Sequence, residues 1–370
     1  MAQGDAILAV GAISGTSMDG IDVALVETDG EGVARPGAGA TYPYPPDLRA
    51  QLQAVIADPA RAEHDPLDEI EAAVTDAHCD AVLRLLAENG VDPQRVALAG
   101  LHGQTVFHRP ERRFTRQLLD GARAARRLGI DVVNRFRHAD VAAGGEGAPL
   151  APLYHAALAQ GLERPLMVLN WGGVGNVTFL GEGDPVAFDT GPANALIDDW
   201  VSRRLGRAYD ADGAVAAAGR ADAAMGAALM DNPFFDRPAP KSLDRNDFHR
   251  RARIVERLGV EDGAATLAAF TVEATAAALR HVPAAPARWL VTGGGRLNAT
   301  LMRRLGERLG VTVEPVEAVG WDGDYLEAQC FAYLAARSRR GLPLSLPSTT
   351  GVPAPATGGD VHPAPRAGVA

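Results

Sequence analysis

Twice in this chain an apolar strand runs through a glycine-rich polar turn into a second strand, and this recurrence restricts the fold more than any other feature. The first copy is Ala6-Ile7-Leu8-Ala9-Val10, then Ser14-Gly15-Thr16-Ser17-Met18-Asp19-Gly20, then Ile21-Asp22-Val23-Ala24-Leu25-Val26. The second runs from Leu166-Met167-Val168-Leu169-Asn170 through Trp171-Gly172-Gly173-Val174-Gly175-Asn176 into Val177-Thr178-Phe179-Leu180. Each reads as a β-hairpin with a broad tip. Further α/β pattern follows each, which predicts a duplicated architecture without a duplicated sequence.

A chain of 370 residues is long for one core, so two α/β domains are expected. The division is placed after residue 132, giving domains 1–132 and 133–370. A helix is predicted from Leu67 to Glu88, where Leu67, Ile70, Val74, Ala77, Ala81 and Leu85 recur at helical spacing. Val96 to Leu101 reads as a short buried strand followed by a loop carrying His102 and His108. Helical patterns follow at Asn194–Leu205 and Ala264–Leu279, a strand at Trp289–Val291, and a last helix at Leu326–Arg337. The spacing does not assign that last helix to either domain. From Pro343 the chain is rich in Pro, Thr, Ala and Gly, and residues 361–370 are expected to form a mobile tail.

Charge and cysteine content restrict the function classes. A formal net charge of -10 and a pI near 5.4 disfavour a nucleic-acid footprint, which needs a basic face. An acidic chain that handles a polyanion must do so locally, with backbone amides, a metal ion and a few placed cations. The two cysteines, Cys79 and Cys330, make neither a disulfide framework nor a zinc site and fit a reducing compartment. No signal peptide and no run of about 18 apolar residues is found, so a soluble cytoplasmic protein is expected, with no membrane partner. Basic residues are almost all Arg; the single lysine is Lys241. It is either a remnant of Arg-rich usage or a place where a compact ammonium is needed.

No Walker A loop and no Rossmann glycine fingerprint is present, so any phosphate must bind in another kind of loop. Three segments qualify. In Gly15-Thr16-Ser17-Met18-Asp19-Gly20-Ile21-Asp22, glycines allow close backbone approach, hydroxyls donate, and Asp19 or Asp22 offers oxygen to Mg²⁺. Phe188-Asp189-Thr190-Gly191-Pro192-Ala193-Asn194 sets a carboxylate at a strand end beside a helix start, which suits a base near a phosphate but also an ordinary helix cap. Thr292-Gly293-Gly294-Gly295 permits flat contact with a nucleoside. Singly each is an ordinary turn; in this order they form the phosphate-1, phosphate-2 and adenosine pattern of the actin, Hsp70 and hexokinase-like fold. That predicts two RNase H-like domains around a central cleft.

Within that fold the chain resembles the anhydro-N-acetylmuramic acid kinase family. The resemblance rests on Gly15 to Asp22, Gly100-Leu101-His102-Gly103-Gln104-Thr105-Val106-Phe107-His108, Phe136 to Gly145, Gly147-Ala148-Pro149-Leu150 and Asp189 to Asn194. It continues through Pro240-Lys241-Ser242, Ala265-Thr266-Leu267, Gly293 to Gly295, Glu327-Ala328-Gln329 and Pro347-Ser348-Thr349-Thr350-Gly351. Departures from the usual pattern are Glu146 for a Gln, Trp171 and Val174 for Ile, Gly175 for an Ala and Ala193 for a Gly.

The resemblance implies an ATP- and Mg²⁺-dependent kinase of 1,6-anhydro-N-acetylmuramic acid, a sugar of peptidoglycan turnover, yielding N-acetylmuramate 6-phosphate and ADP. Asp189 is then the expected base. Gly15, Thr16, Ser17, Met18, Asp19, Gly20, Ile21, Asp22, Thr190, Gly191, Asn194, Gly293, Gly294 and Gly295 are expected to bind nucleotide, with Asp19 and Asp22 on the metal. His102, Gln104, Asp120, Arg137, Asp140 and Glu327 are the sugar-site candidates. For Arg137 two readings stand: a bidentate donor to the sugar's lactyl carboxylate, or a structural pair with Asp140. A homodimer is implied by the resemblance alone. The alternatives are another sugar kinase of the same fold, which would consume no water, and a non-enzymatic ATP switch.

Overall fold

The structure is a computed structural model that describes residues 5–15, 18, 20–243 and 248–365. Among these residues the strands are β1 (Ile7–Ser14), β2 (Ile21–Thr28), β3 (Ala34–Tyr42), β4 (Leu98–Arg109), β5 (Phe114–Leu118), β6 (Val132–Asn134) and β7 (Leu166–Trp171). They continue with β8 (Val174–Leu180), β9 (Val186–Pro192), β10 (Arg288–Thr292), β11 (Thr312–Pro315) and β12 (Asp360–His362). The chain divides into two compact units, Met1–Gln160 with Tyr325–Ala370, and Gly161–Asp324.

In the first unit the sheet order is β12-β6-β4-β1-β2-β3, with β5 paired to β4. β1, β2 and β3 are a meander of antiparallel neighbours, while β4 joins β1 and β6 joins β4 in parallel. The second unit repeats the plan in the order β11-β10-β7-β8-β9. There β7, β8 and β9 are the antiparallel meander, and β10 and β11 add in parallel. Each unit is therefore an RNase H-like sheet: three strands by hairpins, two by crossovers. The predicted duplication of architecture is present.

The central strands are apolar on both faces because each face is covered. In β1, Val10 and Ala12 belong to a buried cluster with Val74 and Val82 of the helix Asp68–Glu88. Gly11, between them, points to the opposite face, since strand side chains alternate. A Cβ on Gly11 would overlap the carbonyl oxygen of Ala328, and one on Gly100 that of Phe331. Those two glycines let the helix Leu326–Arg339 lie directly on the sheet.

The last helix thus belongs to the first unit, and the division expected after residue 132 is corrected. β6 straddles that position and pairs with β4 at Gly100↔Val133, so the chain is still in the first sheet there. Nor are residues 361–362 a loose tail: Asp360, Val361 and His362 pair antiparallel with Asn134, Val133 and Val132. A third correction concerns β4, which does not stop at Leu101 but runs to Arg109. β5 supplies the partner, with Gln104↔Leu118 and Arg109↔Phe114 in register. His102, Gln104 and His108 therefore sit on a strand and not on a loop.

Candidate active site

In the first unit the β1–β2 turn is held from beneath. Ser14 Oγ donates to Gln104 Oε1 at 2.6 Å, and Gln104 Nε2 donates to the carbonyls of Gly15 at 3.3 Å and Thr105 at 3.1 Å. Gln104 is fully buried by this work, so it braces the turn and has no polar atom to spare for a sugar. Met18 adopts a left-handed conformation, its N–H closing back on Gly15 O at 3.1 Å, with its side chain in the core. Gly20 and Ile21 lead into β2, and Asp22 Oδ1 accepts from Thr41 Oγ1 of β3 at 2.6 Å. Thr16, Ser17 and Asp19 lie outside the described residues.

Around Arg137 the sugar-site candidates separate into two groups. Arg137 Nε donates to His102 Nε2 at 2.8 Å and Nη1 to Gly147 O at 2.7 Å. Nη2 has no hydrogen-bond partner among the described residues. Burial lowers the Arg137 guanidinium and the Glu327 carboxylate opposes that shift. Glu327, in the first turn of the helix Leu326–Arg339, still reaches solvent, yet the surrounding protein withdraws enough water to push its carboxyl up. Arg137 pulls it back and Asp22 pushes it further. Asp22, Arg137 and Glu327 therefore share one field.

Asp140 and Asp120 have other tasks. Asp140 is buried, with Oδ1 accepting from Gly147 N at 2.6 Å and Oδ2 from the hydroxyls of Ser345 and Thr350. It ties the Gly144–Gly147 loop to the Pro347–Thr350 turn and forms no ion pair with Arg137. Asp120 caps the helix Gly121–Leu128, its Oδ1 accepting from Arg123 N at 2.9 Å. His108 spans Thr115 Oγ1 at 2.9 Å and Glu146 O at 3.0 Å, and burial lowers it to about 4.

In the second unit the other two glycine segments meet. The β7–β8 turn at Gly172 and Gly173 takes the N–H groups of Asn194 and Ala193, both at 3.0 Å, so it seats the start of the helix Asn194–Leu205. Asn194 Nδ2 donates to Trp171 O at 2.8 Å. Gly293, with φ of +74°, follows β10 against Asn170, and a Cβ on Gly295 would overlap Trp171. Trp171 is fully buried with Nε1 donating to Thr275 Oγ1 at 3.0 Å, so the unusual indole is satisfied. Arg296 anchors the glycine turn through Glu317 and Asp324, both at 2.7 Å, and through Gly293 O at 3.2 Å. Thr190 faces Gly175, and Gly191 packs against Phe235 and Ala274.

Asp189, half-buried on β9, is bracketed by a segment far along the chain. Its N–H donates to Lys241 O at 2.9 Å, and its Oδ2 accepts from Leu243 N at 2.9 Å. Lys241 is buried, and burial brings its ammonium down to about 8, with Arg237 and Arg280 acting the same way and Asp236 and Asp189 opposing. The sequence reading missed the bracketing of Asp189 and the Arg296 anchor; the isolated lysine was the one available signal. Among the described residues no group of three or more His, Cys, Asp or Glu is placed to hold a metal ion.

Residues 7–364 match the family model described as anhydro-N-acetylmuramic acid kinase. Curated proteins of that name are similar throughout. One from Rhodospirillum rubrum is 55% identical over 361 residues, covering 97% of this chain and 95% of the relative. One from Acidiphilium cryptum is 54% identical, with 97% and 99% covered, and one from Rhizorhabdus wittichii is 53% identical, with 96% and 99% covered.

Proposed function

We infer the function from one premise: the chain belongs to the anhydro-N-acetylmuramic acid kinase family. It is an ATP-dependent sugar kinase that opens 1,6-anhydro-N-acetylmuramic acid with water and phosphorylates O6. The products are N-acetylmuramate 6-phosphate and ADP. An ATP switch without enzymatic activity, or a kinase of another sugar, is not favoured by relatives of this identity and coverage.

In the proposed chemistry a water oxygen bonds to C1 while the C1–O6 bond breaks. O6 then bonds to the γ-phosphorus while the bond to the ADP oxygen breaks. One proton must leave the water, and Asp189 accepts it. The observation that supports this role is the Leu243 N–H on Asp189 Oδ2 at 2.9 Å, which fixes the direction of the carboxylate. Water must otherwise be excluded, so that the γ-phosphoryl group reaches O6 and not solvent.

Arg137 is the proposed partner of the lactyl carboxylate, because Nε and Nη1 are fixed and Nη2 remains to donate. Glu327 faces the same field and is proposed to accept from a sugar hydroxyl. His102 underlies Arg137, while Gln104, Asp120 and Asp140 act on the fold. The phosphates are assigned to Gly15 through Asp22 and to Thr190, Gly191 and Asn194, and the adenosine to Gly293, Gly294 and Gly295. Asp22 offers hard carboxylate oxygen, which fits Mg²⁺ as a nucleotide-borne ion with one or two protein carboxylates, and Asp19 is the second proposed ligand. Such an ion neutralises phosphate charge.

A cytoplasmic homodimer is the proposed setting. Among the described residues no helix is long and apolar enough to cross a membrane, and both cysteines are free and buried. Sedimentation measures the oligomeric state. The function itself is tested with Mg-ATP and 1,6-anhydro-N-acetylmuramic acid in ¹⁸O-water. A sugar phosphate with one ¹⁸O at C1, absent with Asp189→Asn, is expected; ADP without labelled sugar phosphate would overturn the substrate assignment.

A further inference from the structure

The only lysine in the chain is buried in the second unit, two residues before the N–H that holds Asp189. Its Nζ donates to Phe234 O at 3.0 Å and Phe235 O at 3.3 Å and lies 3.2 Å from His281 Nε2. The rings of Phe234 and Phe188 lie 4.7 and 5.9 Å from the ammonium, and Phe188 is the residue before Asp189. The same lysine gives its carbonyl to the Asp189 N–H. One side chain therefore fixes a segment whose backbone grips Asp189 on both its N–H and its carboxylate.

We propose that Lys241 is a positioning residue for the base: its ammonium pins the 241–243 segment to Phe234 and Phe235, and that segment aims the Asp189 carboxylate. The proposal rests on Asp189 being the base. It also explains why lysine survives in a chain that elsewhere uses arginine. Two carbonyls and two aromatic faces converge on one nitrogen, which suits a compact, rotatable donor; a planar fork is larger and spreads its donors. A buried cation normally costs stability, and here hydrogen bonds and ring faces offset that cost. The charged groups facing it are Asp189, Asp236, Arg237 and Arg280, with His281 beside them.

The test is steady-state kinetics of Lys241→Met and Lys241→Arg with Mg-ATP and 1,6-anhydro-N-acetylmuramic acid, with Asp189→Asn alongside. Misaiming a base reduces the chemical step and not binding, so kcat is expected to fall about ten- to a hundredfold with both KM values within about threefold. Loosening the Leu243 N–H also removes a bond to the ionised carboxylate, so the acid limb of kcat is expected to move up by about one pH unit. A purely structural lysine would lower the unfolding midpoint and leave that limb where it is. Wild-type kcat and an unmoved acid limb in the variants that fold, with Asp189→Asn inactive, overturn the proposal alone. An active Asp189→Asn overturns both the base and its positioning. Should neither lysine variant fold, His281→Gln perturbs the same ammonium and is read against the same limb, by the same criteria.

Discussion

Arg137 Nε donates to Nε2 of His102 at 2.8 Å, and His102 Nδ1 lies 3.0 Å from Gly103 O, so the imidazole is held neutral with its proton on Nδ1. Burial together with the Arg137 charge keeps it far below the usual histidine range. The ring also lies 4.6 Å from that of Phe331 in the helix that carries Glu327. His102 is thus the floor under Arg137, with both ring nitrogens engaged.

Removing that floor frees the guanidinium to turn away from the sugar carboxylate. His102→Leu is expected to raise KM for the sugar about tenfold, the worth of one charge-assisted hydrogen bond, while KM for ATP stays within about twofold. His102→Gln retains an oxygen that accepts from Nε and should recover part of the loss. Initial-rate kinetics with each substrate varied in turn distinguishes the outcomes; equal effects on both KM values would contradict the assigned role.

Acid lability follows from several neutral histidines, His78 and His155 buried and His108 and His138 half-buried. Burial lowers His78, His108 and His138 to about 4 and His155 to about 3, against 6.5 for an exposed imidazole. Below pH 6.5 the unfolded chain takes up protons that the folded chain refuses. Stability present above that pH is therefore lost as pH falls toward about 4, at about 1.4 kcal/mol per pH unit for each fully buried group. Urea unfolding at pH 7.5, 6 and 5 should show falling midpoints. Replacing one such group, as in His78→Asn, should reduce proton uptake on unfolding at pH 5 by about one.

The two hairpins were legible in the sequence because each combines apolar strands with a glycine-rich tip, and the order of the three glycine segments pointed to the fold; β3, which completes the first meander, was not read. Nor was the return of the helix Leu326–Arg339 to the first sheet. Its apolar residues fit either unit, and Gly11 and Gly100 look like any glycine in a strand until the backbone that lies on them is known. For the same reason Asp140 and Gln104 read as sugar ligands: a polar residue in a family-like motif does not reveal whether its partners are a ligand or a distant turn. Ser345 and Thr350 lie 205 and 210 residues away from the Asp140 carboxylate they satisfy.

The close approach makes its own prediction. Gly11→Ala and Gly100→Ala each place a methyl group against helix backbone, which cannot swing aside like a side chain. Each is expected to cost about 1–3 kcal/mol or more. Gly226→Ala, where no atom lies within 4 Å of the added carbon, should be neutral or slightly stabilising because it sits within the helix Ala223–Met230. Urea midpoints of the three variants measure the contrast.

The glycine turn proposed for the nucleotide is held by Arg296. Its side chain is 5% exposed and bridges Glu317 and Asp324 while donating to Gly293 O, the first glycine of the turn assigned to adenosine. Lysine in its place keeps the charge but offers one nitrogen where the guanidinium uses three, so one acidic partner or the Gly293 carbonyl is left without its donor. The glycine turn would then lose its fixed height above Trp171 and Asn194. Arg296→Lys is expected to raise KM for ATP about tenfold, with KM for the sugar unchanged, because the residues assigned to the sugar are in the other unit. Binding of a non-hydrolysable ATP analogue by calorimetry checks the same loss without turnover. Unchanged nucleotide affinity in a folded Arg296→Lys protein would remove the Gly293–Gly295 turn from the nucleotide site.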